Sequence, residues 1–104
     1  MATSPTQLSK KHLEAQGYTV AVTEHWNSFA RIRQDLFGFI DILALRGDET
    51  LAVQTTSKSN ISARVKKIAD NEHVGAVRDA GWRIEIHGVF KENGRWKIKI
   101  VDLS

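Results

Sequence analysis

Asp41 stands between Ile40 and Ile42 in an otherwise apolar stretch. A buried carboxylate without a partner is costly, so its side chain needs a cleft, a strand's open end or a cation beside it. The next apolar stretch, Leu51-Ala52-Val53, runs into Gln54-Thr55-Thr56-Ser57-Lys58, and strand periodicity sets Gln54, Thr56 and Lys58 on one face. Oxygen donors and an amine at the ends of two buried strands suit a hard divalent cation and a phosphate. Such a cation would bridge Asp41 and either the Gln54 side chain or the Thr55 backbone carbonyl. It would acidify a bound water and neutralise charge developing on phosphorus. A nearby amine would stabilise the oxyanion, and Lys58 is the candidate on position.

Other residues qualify for supporting roles. Glu24 and Asp35 are candidates for a further carboxylate. Arg64, Lys66 and Lys67 form either an ordinary solvated helix face or a set of phosphate contacts, and Arg31 and Arg33 carry the same double reading. Either of those two arginines could instead pair with Asp41 in a purely structural role. Trp26, beside Asn27 at a strand end, is a candidate for stacking on an unpaired base, whereas Trp82 and Trp96 lie in strand patterns where core packing is the usual role. The four histidines (His12, His25, His73 and His87) have no mutual ligand spacing, which argues against a histidine zinc site.

These groups need elements to position them. Ser4-Pro5-Thr6-Gln7 reads as a capped helix start, and a helix is predicted from Pro5 to Gln16 with Gly17 as its stop. Residues Tyr18 to Trp26 alternate as a first strand, Asn27 to Leu36 reads as a basic loop, and Phe37 to Leu45 as a second, nearly continuous apolar strand. The Arg46–Glu49 turn would bring a third strand, Thr50 to Ser57, back antiparallel, setting Asp41 beside the Gln54–Lys58 segment. Ile61, Val65 and Ile68 mark the apolar stripe of a second helix. The Asp70-Asn71-Glu72 cluster should bend or break it before Gly81. Two strands, Trp82 to Phe90 and Arg95 to Leu103, flank an Asn93-Gly94 hairpin signal.

The order α-β-β-β-α-β-β in 104 residues fits one α/β domain spanning residues 1–104, a mixed sheet flanked by helices. Without cysteine, a disulfide framework or thiolate site is excluded, and any metal takes oxygen or imidazole ligands, which favours Mg²⁺ or Mn²⁺. No apolar run has the length of a membrane span and no signal segment is visible, so the simplest expectation is a cytoplasmic protein. Fifteen basic against twelve acidic residues give a net charge of +3, which permits a polyanionic partner without demanding one.

With Phe39-Ile40-Asp41-Ile42-Leu43-Ala44-Leu45 followed by Leu51-Ala52-Val53-Gln54-Thr55-Thr56-Ser57, the chain resembles the PD-(D/E)xK nucleases. The similarity is greatest to archaeal Holliday-junction resolvases and virus-type replication-repair nucleases, over about residues 5 to 70. The resemblance implies a restriction-endonuclease-like core and a Mg²⁺- or Mn²⁺-dependent endonuclease cutting duplex or branched DNA, with Asp41 as a metal ligand. It also implies self-association, because two strands of a junction need two sites. The family's Glu-x-Lys places are held here by Gln54-Thr55-Thr56. Gln54 keeps an oxygen ligand but loses a charge, and Thr56 removes the amine, for which Lys58, Lys66 or Lys67 are the replacements. The family's acidic residue on the first helix has no counterpart at Thr6-Gln7, leaving Glu24, Asp35 or Glu14. The departures also suit a different class of protein, a catalytically silent nucleic-acid-binding or assembly module.

Overall fold

The computed structural model describes residues 4–104. Helix α1 (Pro5–Ala15) begins as its sequence requires, with the Ser4 hydroxyl accepting from the Gln7 N–H at 3.2 Å and Pro5 in the first turn. A five-stranded mixed sheet follows in the order β1-β4-β5-β6-β7, built from β1 (Thr19–Val22), β4 (Ile42–Arg46), β5 (Glu49–Ser57), β6 (Arg83–Glu92) and β7 (Arg95–Asp102). Only β5 and β6 run parallel, joined through a 3₁₀ turn (Lys58–Asn60) and helices α2 (Ile61–Ala69) and α3 (Val74–Asp79). The chain is thus an α/β fold with a mixed sheet between helices.

Strand alternation divides the core in two. On one face Leu13 of α1 and Tyr18 pack on Ile42, Ala44, Leu51 and Val53. On the other, Ile68, Val74 and Val77 of α2 and α3 pack on Ala52, Ile84 and Ile86, together with Phe39 and Ile40. The break between α2 and α3 falls at the Asp70–His73 segment, where Asn71 Oδ1 accepts from the His73 N–H. At the far end, Glu92 pairs with Arg95 around Asn93 and Gly94, both at positive φ, as a two-residue hairpin of right-handed twist demands.

Two expected strands are revised. The first ends at Val22 and not at Trp26, and the expected loop holds a separate hairpin of β2 (His25–Asn27) and β3 (Ile32–Gln34). The second does not begin at Phe37: Phe37 and Gly38 take φ of 53° and 83° and fold a turn closed by a bridge between Leu36 and Ile40. Phe39 and Ile40 are nonetheless fully buried, so an apolar run reported burial correctly and extended geometry incorrectly. Trp82 borders the core as expected. Trp96 does not, because β7 is an edge strand and leaves the ring about half exposed. Among the described residues no helix is long and apolar enough to cross a membrane.

Candidate active site

Asp41 enters the sheet immediately before β4, where its backbone N–H donates to Val53 O at 2.9 Å and its own carbonyl accepts from the Thr23 N–H at 2.8 Å. The strand has not yet begun, so the side chain emerges at the sheet's end and remains only 3% exposed. Its Oδ2 accepts from the Thr55 N–H at 2.8 Å, the Thr55 hydroxyl at 3.1 Å and Gln54 Nε2 at 2.5 Å. Two further carboxylates reach the same point: Glu24 after β1 and Asp35 after β3, with one oxygen from each of the three within 4.8 Å of the others. The β2-β3 hairpin makes this possible, since closing it brings its two flanking acidic residues together.

Alternation along β5 sends the polar triplet to different helices. Thr55 shares the α1 face with Val53, and its hydroxyl lies 2.9 Å from that of Thr6, which donates to Glu24 Oε1 at 3.0 Å. Gln54 and Thr56 share the α2 face with Ala52. There Lys67 Nζ donates to Gln54 Oε1 at 3.4 Å and pairs with Asp35 Oδ2 at 3.6 Å, while Arg64 lies at the limit of bonding from Thr56 Oγ1, 3.5 Å. Arg33 closes another side through Glu24 at 3.4 Å. These groups line a cavity of about 430 Å³, open to solvent at the N-terminus of α1.

Burial pushes the Asp41 carboxyl up from its ordinary 3.8 to about 7. The Asp35 side chain, with which a protonated Asp41 can share a hydrogen bond, adds to the rise, as do the negative charges of Asp35 and Glu24. Donation by the Thr55 N–H opposes it. The neighbouring charges thus disfavour ionisation of Asp41, and a cation among the three groups would relieve that repulsion.

The residues predicted from sequence fall into three groups. Asp41, Glu24, Asp35, Gln54 and Thr55 converge, and Arg33, Arg64 and Lys67 surround them. Lys58 does not converge, because β5 ends at Ser57. The chain then turns into the 3₁₀ segment, strand alternation lapses, and the Lys58 ammonium sits 4.5 Å above the Phe90 ring. Lys66 is solvent-exposed on α2, Arg31 lies in the β2-β3 turn at φ 55°, and Trp26 is exposed on β2. Gln54 departs from the bridging-ligand reading: its amide nitrogen faces Asp41 and its oxygen faces Lys67. Asp41 takes neither arginine as a partner; Arg33 pairs with Glu24. No histidine joins the cluster, and His87 is buried against Glu85, 3.0 Å away.

Thr6 links Glu24 to Thr55 from the first turn of α1, and no local pattern in the sequence marks that bridge. No family model matches this chain, and no curated protein or solved structure matches it either.

Proposed function

We propose that the protein is a Mg²⁺- or Mn²⁺-dependent endonuclease hydrolysing phosphodiester bonds in DNA, on a restriction-endonuclease-like variant of the α/β fold. The observation that carries the reading is the convergence of Glu24, Asp35 and Asp41 beside the Lys67 ammonium in one open cavity. The donor set fits a hard divalent ion: all three groups offer oxygen, and the raised pKa of Asp41 marks charge that a cation would neutralise. When bound, the ion would supply a water of lowered pKa and charge neutralisation at phosphorus.

The protein's own residues have distinct tasks in this reading. Glu24, Asp35 and Asp41 would hold the ion, and Thr6 and Thr55 orient Glu24 and Asp41 through their hydroxyl groups. Lys67, carried by α2 in place of the amine absent at position 56, sets a positive charge where the oxyanion forms. Arg33 and Arg64 seat the backbone phosphates on either side. Cutting two strands of a junction would require two clefts, and a homodimer with one cleft per copy would supply them.

A second reading, a silent DNA-binding module, is favoured by the Gln54 amide nitrogen donating to Asp41 where an acidic ligand would otherwise stand. Labelled duplex, single-stranded and four-way-junction DNA incubated with wild type and Asp41→Asn in Mg²⁺, Mn²⁺ or EDTA separates the two. Metal-dependent cleavage lost in a folded Asp41→Asn supports the nuclease. Intact binding in EDTA with no cleavage in any metal rejects it in favour of the silent module.

A further inference from the structure

Beyond Arg33, the β2-β3 hairpin puts no side chain into the cavity, yet it is anchored there: Glu24 immediately precedes it and Asp35 immediately follows. Its contacts with the rest of the fold are few, and its outward residues are the wrong kind for a solvated loop. Phe29 at the tip is fully exposed, Trp26 is 60% exposed and Ile32 49%. A single exposed apolar residue would be ordinary; three on one short arm are the kind of grouping that marks an interaction site. The turn projects Phe29 because Asn27 Oδ1 accepts from both the Phe29 N–H at 3.0 Å and the Ala30 N–H at 3.1 Å, tying up the backbone beneath it.

Charge identifies the occupant. Between Glu24 and Asp35 there is no acidic residue, while Arg31 and Arg33 are both basic. Trp26 and Arg33 are directly paired across the hairpin and so share a face, and Arg33 also lines the carboxylate cavity. A surface therefore runs from the cavity through the Arg33 guanidinium to the Trp26 indole, with Phe29 exposed at the tip of the same arm. Alternating cationic and aromatic groups match a polyanion whose bases are free to stack. A second copy of this basic, acid-free arm would be repelled by it.

We infer that the hairpin is a base-stacking arm that selects DNA with unpaired bases, such as bubbles, flaps or junction centres, and seats the neighbouring phosphodiester in the Glu24-Asp35-Asp41 cavity. Arg31 and Arg33 neutralise the backbone, while Phe29 and Trp26 stack on bases that a closed duplex keeps buried. The inference names the substrate class of the proposed nuclease site and rests on that reading for the cutting step, but the recognition step needs no metal.

The test is binding in EDTA, with the full chain, to a duplex and to the same duplex carrying a central bubble labelled with 2-aminopurine. Wild type should prefer the bubble by about tenfold or more, the scale of one stacked base, and should change the 2-aminopurine emission. Phe29→Ala should bring the preference close to unity without altering the salt dependence of duplex binding, and Phe29→Trp should restore it. Equal binding of both DNAs by wild type, no DNA binding at all, or a preference indifferent to Phe29→Ala overturns the inference. So does a Phe29→Ala protein that changes oligomeric state on size exclusion, which would make the arm a contact between copies. Bubble preference without cleavage in any metal would leave the arm standing and sink the nuclease. Metal-dependent cleavage insensitive to Phe29 would do the reverse.

Discussion

Lys67 reaches across from α2 to Gln54, its ammonium 3.4 Å from the amide oxygen and 3.6 Å from the Asp35 carboxylate. Position 56, on β5 itself, holds a buried threonine. The amine of the site is thus delivered by a helix whose apolar stripe, Ile61, Val65 and Ile68, fixes its rotation against the sheet. Lys67 falls on the flank of that stripe nearest β5.

If this amine serves the phosphate, Lys67→Ala should lower the cleavage rate by about a hundredfold or more, as removal of an oxyanion-stabilising group does. Lys58→Ala, which loses only a stacking contact with Phe90, should leave the rate within a few fold. Single-turnover cleavage of one DNA by both variants measures the difference, and equal losses would remove Lys67 from the role.

The Asp41 carboxyl makes the metal-free protein pH-sensitive. Its folded-state pKa of about 7 lies above the ordinary 3.8, so the folded state binds the extra proton and gains stability from it at low pH. That contribution is complete below about pH 4 and is lost as pH rises through about 7, on the order of a few kcal/mol. Urea midpoints in EDTA should therefore fall across this window in wild type and stay flatter in Asp41→Asn. Millimolar Mg²⁺ should restore wild-type stability at the upper end, where the carboxylate is free to bind. A flat wild-type profile would contradict the assigned burial.

Gln54→Glu adds a fourth carboxylate beside Asp41. Without metal it should destabilise the protein, because the amide donor to Asp41 Oδ2 is replaced by a negative charge. With metal, the extra anionic ligand should tighten Mn²⁺ binding by about tenfold. Calorimetric titration of both proteins with Mn²⁺ checks the sign, and unchanged affinity would place the ion away from Gln54.

Gly88 on β6 lies under the connection that carries α2. A Cβ there would stand 3.1 Å from Lys58 Cα and press into the Ile61 side chain. Gly88→Ala should cost about 1–3 kcal/mol in chemical unfolding, the usual penalty of overpacking. Because the displaced segment leads into α2, the variant should also lose activity through Lys67. Full activity would mean that the 3₁₀ turn yields without moving the helix.

Much of the framework was legible locally. The Ser4-Pro5 start, the Asn93-Gly94 hairpin, the interruption at Asp70-Asn71-Glu72 and the antiparallel return at Arg46–Glu49 each depend on a few adjacent residues, and each appears in the fold. Asp41 stood out because a carboxylate within an apolar run must be accounted for wherever the chain folds. The Phe37–Ile40 turn was hidden because burial alone favours the same residues in a turn as in a strand. The β2-β3 hairpin was hidden because its strands have only three residues each, too few for alternation to register.

By itself, then, the sequence determined that residues 42–45 and 51–53 pair as strands, where the first helix begins and stops, and that Asp41 would need partners. Periodicity, capping and desolvation act over a few residues and can be read from order alone. Only the tertiary structure decided which partners those are. Glu24 and Asp35 meet Asp41 because a hairpin closes between them, and Lys67 replaces Lys58 because β5 ends one residue too soon for alternation to carry that side chain inward. Thr6 joins because α1 lies across the sheet with its first turn at the cavity. Each of these turns on the relative placement of elements, which local pattern does not encode.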